Sequence, residues 1–202
     1  MASTDPEHWN ERYFSGEFAH RDQPDPFVVD VEEKYLRPLL GDGSTGLDLA
    51  GGAGQHAVWL AWQGWRMTLA DFSETALEIA QQRVAALPDG CAVEMVQSVA
   101  LNLVSRFYAE GRRFGFVLVT FFLDRAVLPW LPKILAPGGL LIYRTYTEDN
   151  ERLGNPRGPR NADFLLRSQE LLETFRGMKI LHYNETVVHK GVAEMIAQRV
   201  AD

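Results

Sequence analysis

Residues 46–73 constrain the fold more than any other stretch of this chain. They read GLDLAGGAGQHAVWLAWQGWRMTLADFS. An apolar run ends in Gly51, Gly52, Ala53 and Gly54, an amphipathic segment follows, and a second apolar run stops at Asp71. This order predicts a strand, a tight turn, a helix, a second strand and an acid. Glycines let the backbone turn sharply and approach a ligand closely. A helix that begins directly after them points free N–H groups into the turn. A carboxylate closing the second strand is placed to accept hydrogen bonds from a ribose diol. Asp71 stands 17 residues after Gly54 (71 − 54), near the spacing expected of such an acid. The stretch therefore predicts a nucleoside-like cofactor held at the carboxyl end of a parallel sheet. A nicotinamide dinucleotide remains an alternative, as does a tight turn without a ligand.

The rest of the chain extends the same pattern. Strands are expected over 92–96, over the nearly unbroken apolar run 116–123, and over 140–147. Helices are expected around Ala76, Ile79, Ala80 and Val84, over 101–108, and up to Leu135. Ser73 is placed to cap the first of these, with Glu74 in its first turn. Alternating strands and helices imply an α/β sandwich with right-handed crossovers. Upstream, Phe27, Val28, Val31, Tyr35 and Leu36 recur at helical spacing, and Pro38 with Gly41 and Gly43 is expected to end that helix. Trp9 and Tyr13, four apart, share a face if residues near 9–14 form a short helix. Residues 148–163 are polar and rich in Pro and Gly, so they read as a loop. A helix over 168–175 and two runs, 179–188 and 192–200, follow, and the short link at His189, Lys190 and Gly191 suggests a β-hairpin.

Length and composition bound the reading. A chain of 202 residues suits one domain: a helical cover over 1–40, a cofactor-binding core over 44–147, and a loop, helix and hairpin over 148–202. A formal charge of −7 argues against an electrostatic nucleic-acid binder. No apolar run approaches the roughly 20 residues of a membrane span, and the N-terminal residues lack an apolar signal core. The single cysteine, Cys91, fits a reducing compartment and reads as a small apolar residue in a strand. The expectation is a soluble, cytoplasmic protein. The histidines show no paired metal-ligand spacing, so no metal is expected.

The turn is a poor match to the dinucleotide pattern G-x-G-x-x-G. It reads Asp48-Leu49-Ala50-Gly51-Gly52-Ala53-Gly54. In this the chain resembles the class I S-adenosylmethionine-dependent methyltransferases, whose first motif is usually D/E-x-G-x-G-x-G, with Ala50 here in the place of the first glycine. The resemblance implies a three-layer Rossmann-like sandwich with a mostly parallel seven-stranded sheet and an antiparallel C-terminal hairpin. It implies S-adenosylmethionine as cofactor, bound by the turn with Asp48, Ala50, Gly51, Gly52 and Gly54, by Asp71 on the ribose, and by Phe72 and Ser73 near the adenine. Thr120 and Phe121 would line the cofactor at the fourth strand. The family's acid after the third strand is absent, leaving Ser98 as the adenine-side candidate. Within the superfamily the chain looks like the small tellurite-resistance and thiopurine-type enzymes, on W-N-E-R-Y near the N-terminus, P-D-P-F-V before the first helix, and L-H-Y-N-E followed by V-H-K near the end. That narrower likeness implies a small-molecule acceptor such as a tellurium, selenium or thiol compound.

Further candidates surround this core. His189 resembles the family's histidine in the last hairpin and is a candidate near the acceptor, set against a solvated turn histidine. Arg144, ending the fifth strand, is a candidate to hold an anionic acceptor or to pair with an acid of the long loop. Arg157 and Arg160 in that loop are weaker versions of the same idea. Trp9, Arg12 and Tyr13 are candidates for a cover over the cofactor, with Tyr13 near its methionine end. A non-catalytic cofactor-binding protein of the same fold is the third reading.

Overall fold

The computed structural model describes residues 10–11, 13–15, 23–41, 43–154, 158–159 and 161–200. Seven strands form one sheet: β1 (Thr45–Leu49), β2 (Arg66–Asp71), β3 (Ala92–Gln97), β4 (Phe114–Thr120), β5 (Leu135–Tyr146), β6 (Lys179–Thr186) and β7 (Val192–Gln198). Their order is β3-β2-β1-β4-β5-β7-β6. The first five run parallel, and β7 is antiparallel to both β5 and β6. The expected mixed sheet with its terminal hairpin is therefore present. The strand order reverses between β1 and β4, which opens a crevice at their carboxyl ends.

Helices cover both faces. On one side α1 (residues 26–40), α2 (Gln55–Trp62) and α3 (Glu74–Ala85) enclose a core that includes Val31, Leu60, Trp65, Phe116 and Ile142. On the other, α4 (Ala100–Ala109), a 3₁₀ helix (Leu128–Ile134) and the short α6 (Glu170–Thr174) pack over Phe107, Val117, Leu131 and Tyr143. The sheet sits between them with nearly all of β1 and β4 buried. This double burial is why those strands read as continuous apolar runs. The hairpin strands β6 and β7 begin and end close to the expected positions.

Several elements depart from the sequence expectations. Pro38 does not end α1. The segment starts as α-helix over Pro26–Val31, widens to π-helix over Glu32–Leu36 and resumes over Arg37–Leu40. Arg37 N–H bonds to Glu32 O across the widened turn, so the missing N–H of Pro38 falls where the ladder has already shifted. β4 ends at Thr120 rather than Leu123, because Phe121 turns into the left-handed region at φ 54°. The element before β5 is a 3₁₀ helix containing Pro129 and Pro132, residues that cannot donate to an α-helical ladder. The long polar loop carries a short helix α5 (Asp149–Arg152) and a 3₁₀ turn at Ala162–Phe164. Cys91 lies half-buried just before β3 rather than within it.

Candidate active site

The glycine turn sits on the carboxyl end of β1 and is shaped from below. Asp48, fully buried, accepts the Ala57 N–H through Oδ2 at 3.2 Å and so ties β1 to α2. Its Oδ1 has no hydrogen-bond partner. Burial raises its carboxyl to about 7, and the nearby Asp71 charge adds to the rise. A side chain at Gly51 would place its Cβ 2.5 Å from Leu69 Cδ1 and 2.6 Å from Asp48 Cγ, so the turn can lie this low only without one. Gly52 and Gly54 adopt φ 55° and 75°. Ala50 adopts φ 56° with a side chain present, a strain of about 1–2 kcal/mol. The substitution at this position thus loads the backbone.

Asp71 joins the glycine turn to the end of β2. Its Oδ2 accepts the Gly52 N–H at 2.8 Å and its Oδ1 accepts the Ser73 N–H at 2.9 Å. Burial raises its carboxyl above the ordinary range, opposed by the N–H groups of Ser73, Gly52 and Phe72. Each oxygen keeps a further lone pair for a ligand hydroxyl. Ser73 caps α3 by accepting the Ala76 N–H at 3.2 Å and donates to Asn10 Oδ1 at 2.6 Å. The Tyr13 hydroxyl lies against Gly52. Asn10 and Tyr13 therefore lie across the turn. Trp9 and Arg12 fall outside the described residues, as do Arg157 and Arg160. Phe72 is half-buried. Ser98 donates its N–H to Asp71 O at 2.9 Å and its hydroxyl to Val99 O at 3.2 Å, which places it at the tip of β3 beside β2.

Beyond the crevice the site changes character. Thr120 lies next to His56, Oγ1 to Nδ1 3.4 Å. Phe121 projects from the tip of β4, and its ring packs against Tyr146 at 4.9 Å between centroids. Arg144, buried, pairs with Asp25 and, through Nε at 3.1 Å, with Glu194. Its guanidinium is engaged by a residue before α1 and one on β7, not by an acid of the long loop. His189 sits at φ 69° in the exposed β6–β7 link, at the same end of the sheet as the turn.

Asn10, His56, Asp25 and Glu194 were not singled out as site candidates in the sequence. Buried His56 also contacts the Gln55 side chain at 3.1 Å. Asp25 caps α1, accepting the Phe27 N–H at 2.9 Å; an acid directly before Pro at a helix start is a readable cap signal. Glu194 is the one charged residue in the mostly apolar strand VAEMIAQ, which is itself a flag. His56 had no such signal. Among the described residues no group of His, Cys, Asp and Glu is arranged to hold a metal, and no helix is long and apolar enough to cross a membrane. The low glycine turn, the acid bridging it to β2 and the open lone pairs of that acid fit a nucleoside cofactor.

Residues 47–139 match the family described as a methyltransferase domain. No curated protein matches the chain by sequence. Solved structures are similar throughout. TehB from Haemophilus influenzae is 19% identical, with 94% of this chain and 67% of that one covered and a TM-score of 0.68. The N-methyltransferase NodS from Bradyrhizobium japonicum WM9, in complex with S-adenosyl-L-homocysteine, is 18% identical over 96% and 98% of the two chains, with a TM-score of 0.67. Magnesium protoporphyrin IX methyltransferase (ChlM) from Synechocystis PCC 6803, with bound SAH, is 16% identical over 96% and 100%, with a TM-score of 0.69. At these identities the likeness carries the fold. Residues 47–139, which hold the glycine turn and Asp71, thus carry the methyltransferase-domain match, within a fold shared with these solved methyltransferases.

Proposed function

We propose that this protein transfers the methyl group of S-adenosylmethionine to a small-molecule acceptor, with the glycine turn and Asp71 holding the donor. The observation that carries the reading is Asp71, which accepts N–H groups from Gly52 in the turn and from Ser73 after β2 and keeps lone pairs for a ribose diol. Asp48 acts from beneath as a positioning residue. Thr120, Phe72 and Ser98 line the nucleoside, and Asn10 and Tyr13 cover it. When bound, the cofactor supplies an electrophilic methyl group on a sulfonium. What the chain adds is alignment: holding acceptor and donor in contact and in line supplies much of the acceleration of a displacement.

The resemblance in W-N-E-R-Y, P-D-P-F-V and V-H-K supports a tellurium, selenium or thiol compound as acceptor. His189, exposed in the hairpin link at the right end of the sheet, is our candidate for a polar group beside it. We assign no nucleic-acid partner, on the charge of −7, and a cytoplasmic location, on the single cysteine. Formation of S-adenosylhomocysteine from S-adenosylmethionine, assayed with tellurite, selenite, thiol and amine acceptors, tests the reading. Product formed with one of them supports it. Thermal stabilisation by a nicotinamide dinucleotide but not by S-adenosylhomocysteine overturns it in favour of an oxidoreductase. Cofactor binding without turnover on any acceptor points to the non-catalytic alternative. His189→Ala is expected to lower turnover and leave cofactor affinity unchanged; calorimetry showing lost affinity would move that histidine to the cofactor.

A further inference from the structure

His56 is a buried titratable side chain that the cofactor site described above does not use. It stands in the first turn of α2, two residues after Gly54, and is 3% exposed. Its ring reaches the strand on the other side of the crevice. Nδ1 lies 3.4 Å from Thr120 Oγ1, and Nε2 lies 3.1 Å from the Gln55 side-chain nitrogen. Leu49 on β1 and Val119 on β4 are register partners. Thr120, one step on, is therefore level with Ala50, where the glycine turn begins. The ring spans the point at which the strand order reverses, from the helix after the turn to the tip of β4.

These contacts set the direction of the protons. An amide nitrogen donates and does not accept, so His56 Nε2 takes the Gln55 N–H with its lone pair. A protonated ring would set two N–H groups against each other there, so the contact requires the neutral imidazole. That form carries its proton on Nδ1 and donates it to Thr120 Oγ1. A hydroxyl that accepts from one side keeps its own proton to donate on another. Thr120 is only half-buried, so that proton is offered to a ligand in the crevice.

We propose that Thr120 donates its hydroxyl proton to the α-carboxylate of the methyl donor, and that His56 is a positioning residue that holds the hydroxyl in this donating orientation. This rests on the methyltransferase reading. With the ribose on Asp71, the amino-acid end of the donor runs over the glycine turn toward the tip of β4. The ammonium there only donates and the sulfonium is a cation, whereas the carboxylate is a strong acceptor. A threonine hydroxyl left to itself turns among its positions and presents lone pairs as readily as its proton. Fixing it beforehand removes that ordering cost from binding. The pair therefore selects nucleosides that carry the carboxylate over those that lack it.

Calorimetry with two ligands tests the proposal: S-adenosylhomocysteine, and its decarboxylated analogue with hydrogen in place of the carboxylate. Thr120→Val keeps the side-chain shape and removes the hydroxyl. It should weaken binding of S-adenosylhomocysteine about tenfold, the loss of a hydrogen bond to a charged group, and change binding of the analogue less than twofold. Thr120→Ser should restore the affinity. His56→Gln places its amide near the Nε2 position and leaves the Nδ1 position empty, so it should weaken S-adenosylhomocysteine binding at least threefold. On the Thr120→Val background the same change should add less than twofold, because the histidine acts through the hydroxyl. His56→Asn, which sets an amide nitrogen near the Nδ1 position, should stay within twofold of the unaltered protein. A histidine that only packs the crevice would lose affinity for both ligands alike. Equal losses for the two ligands, unchanged affinity in Thr120→Val, or the same His56→Gln effect with and without the Thr120 hydroxyl overturns the proposal. Equal binding of the two ligands by the unaltered protein also overturns it and leaves the methyltransferase reading standing, whereas failure to bind S-adenosylhomocysteine at all would remove that reading first.

Discussion

The two sides of the crevice are built by different means. On the β1–β2 side the work is done by backbone. Low glycines, N–H groups and one bridging carboxylate shape the turn, and its parts lie within 26 residues of one another, from Asp48 to Ser73 (73 − 48 = 25 steps). On the β4–β7 side it is done by side-chain charge. Arg144 reaches Asp25, 119 positions away in sequence, and Glu194 on a strand laid down near the end of the chain. A backbone cradle suits a cofactor of fixed shape. A charged and aromatic wall suits discrimination among acceptors.

Substitutions should separate the two sides. Arg144→Met is expected to have the largest effect, because it leaves the buried Asp25 carboxylate and the half-buried Glu194 carboxylate without their cation. Such a loss costs about 3–5 kcal/mol of stability, read by urea unfolding, while folded protein should still bind S-adenosylhomocysteine. A loss below 1 kcal/mol by the same measurement would mean that the pair is not desolvated in solution. Asp71→Ala should act the other way, weakening cofactor binding by about 1.5–3 kcal/mol through lost charged hydrogen bonds. Unchanged affinity by calorimetry would break the comparison at its firmer side.

The same contrast decides what could be read from sequence. The glycine turn, Asp71 and the cap at Ser73 were legible because their physics is local: a turn, a helix start and a strand end. The apolar runs of β1 and β4 were legible because burial on both faces leaves a continuous pattern. The pairing of Arg144 was not legible, since the sequence offered an acid of the long loop as partner and only the fold brings Asp25 and Glu194 to it. The π-turn that accommodates Pro38 and the left-handed Phe121 that ends β4 were hidden for a similar reason. Each departs from a local preference at a place fixed by tertiary packing.

Smaller effects sharpen the cofactor side. Asp48 has a folded-state pKa of about 7 against an ordinary value of 3.8. An acid with a raised folded pKa stabilises the folded state relative to the unfolded one only while protonated in it. Its contribution is present below the unfolded value and is lost as pH rises toward the folded one. Stability should fall by about 1 kcal/mol between pH 6 and 7 from this group, and Asp48→Asn should flatten that part of the profile. An equal slope in the variant would show that Asp48 is ionised and solvated. Ala50→Gly should be the mildest change, a gain of roughly 0.5–1 kcal/mol once relief of the left-handed strain is set against the added freedom of glycine in the unfolded chain. A lower melting temperature would show that Ala50 is not strained in solution.

The most direct test of the account is a crystal structure of the protein with S-adenosylhomocysteine. The prediction is a nucleoside whose ribose hydroxyls lie within hydrogen-bonding distance of the Asp71 carboxylate, with its amino-acid end over Gly51 and Gly52. A nucleoside bound away from both the turn and Asp71 would contradict it.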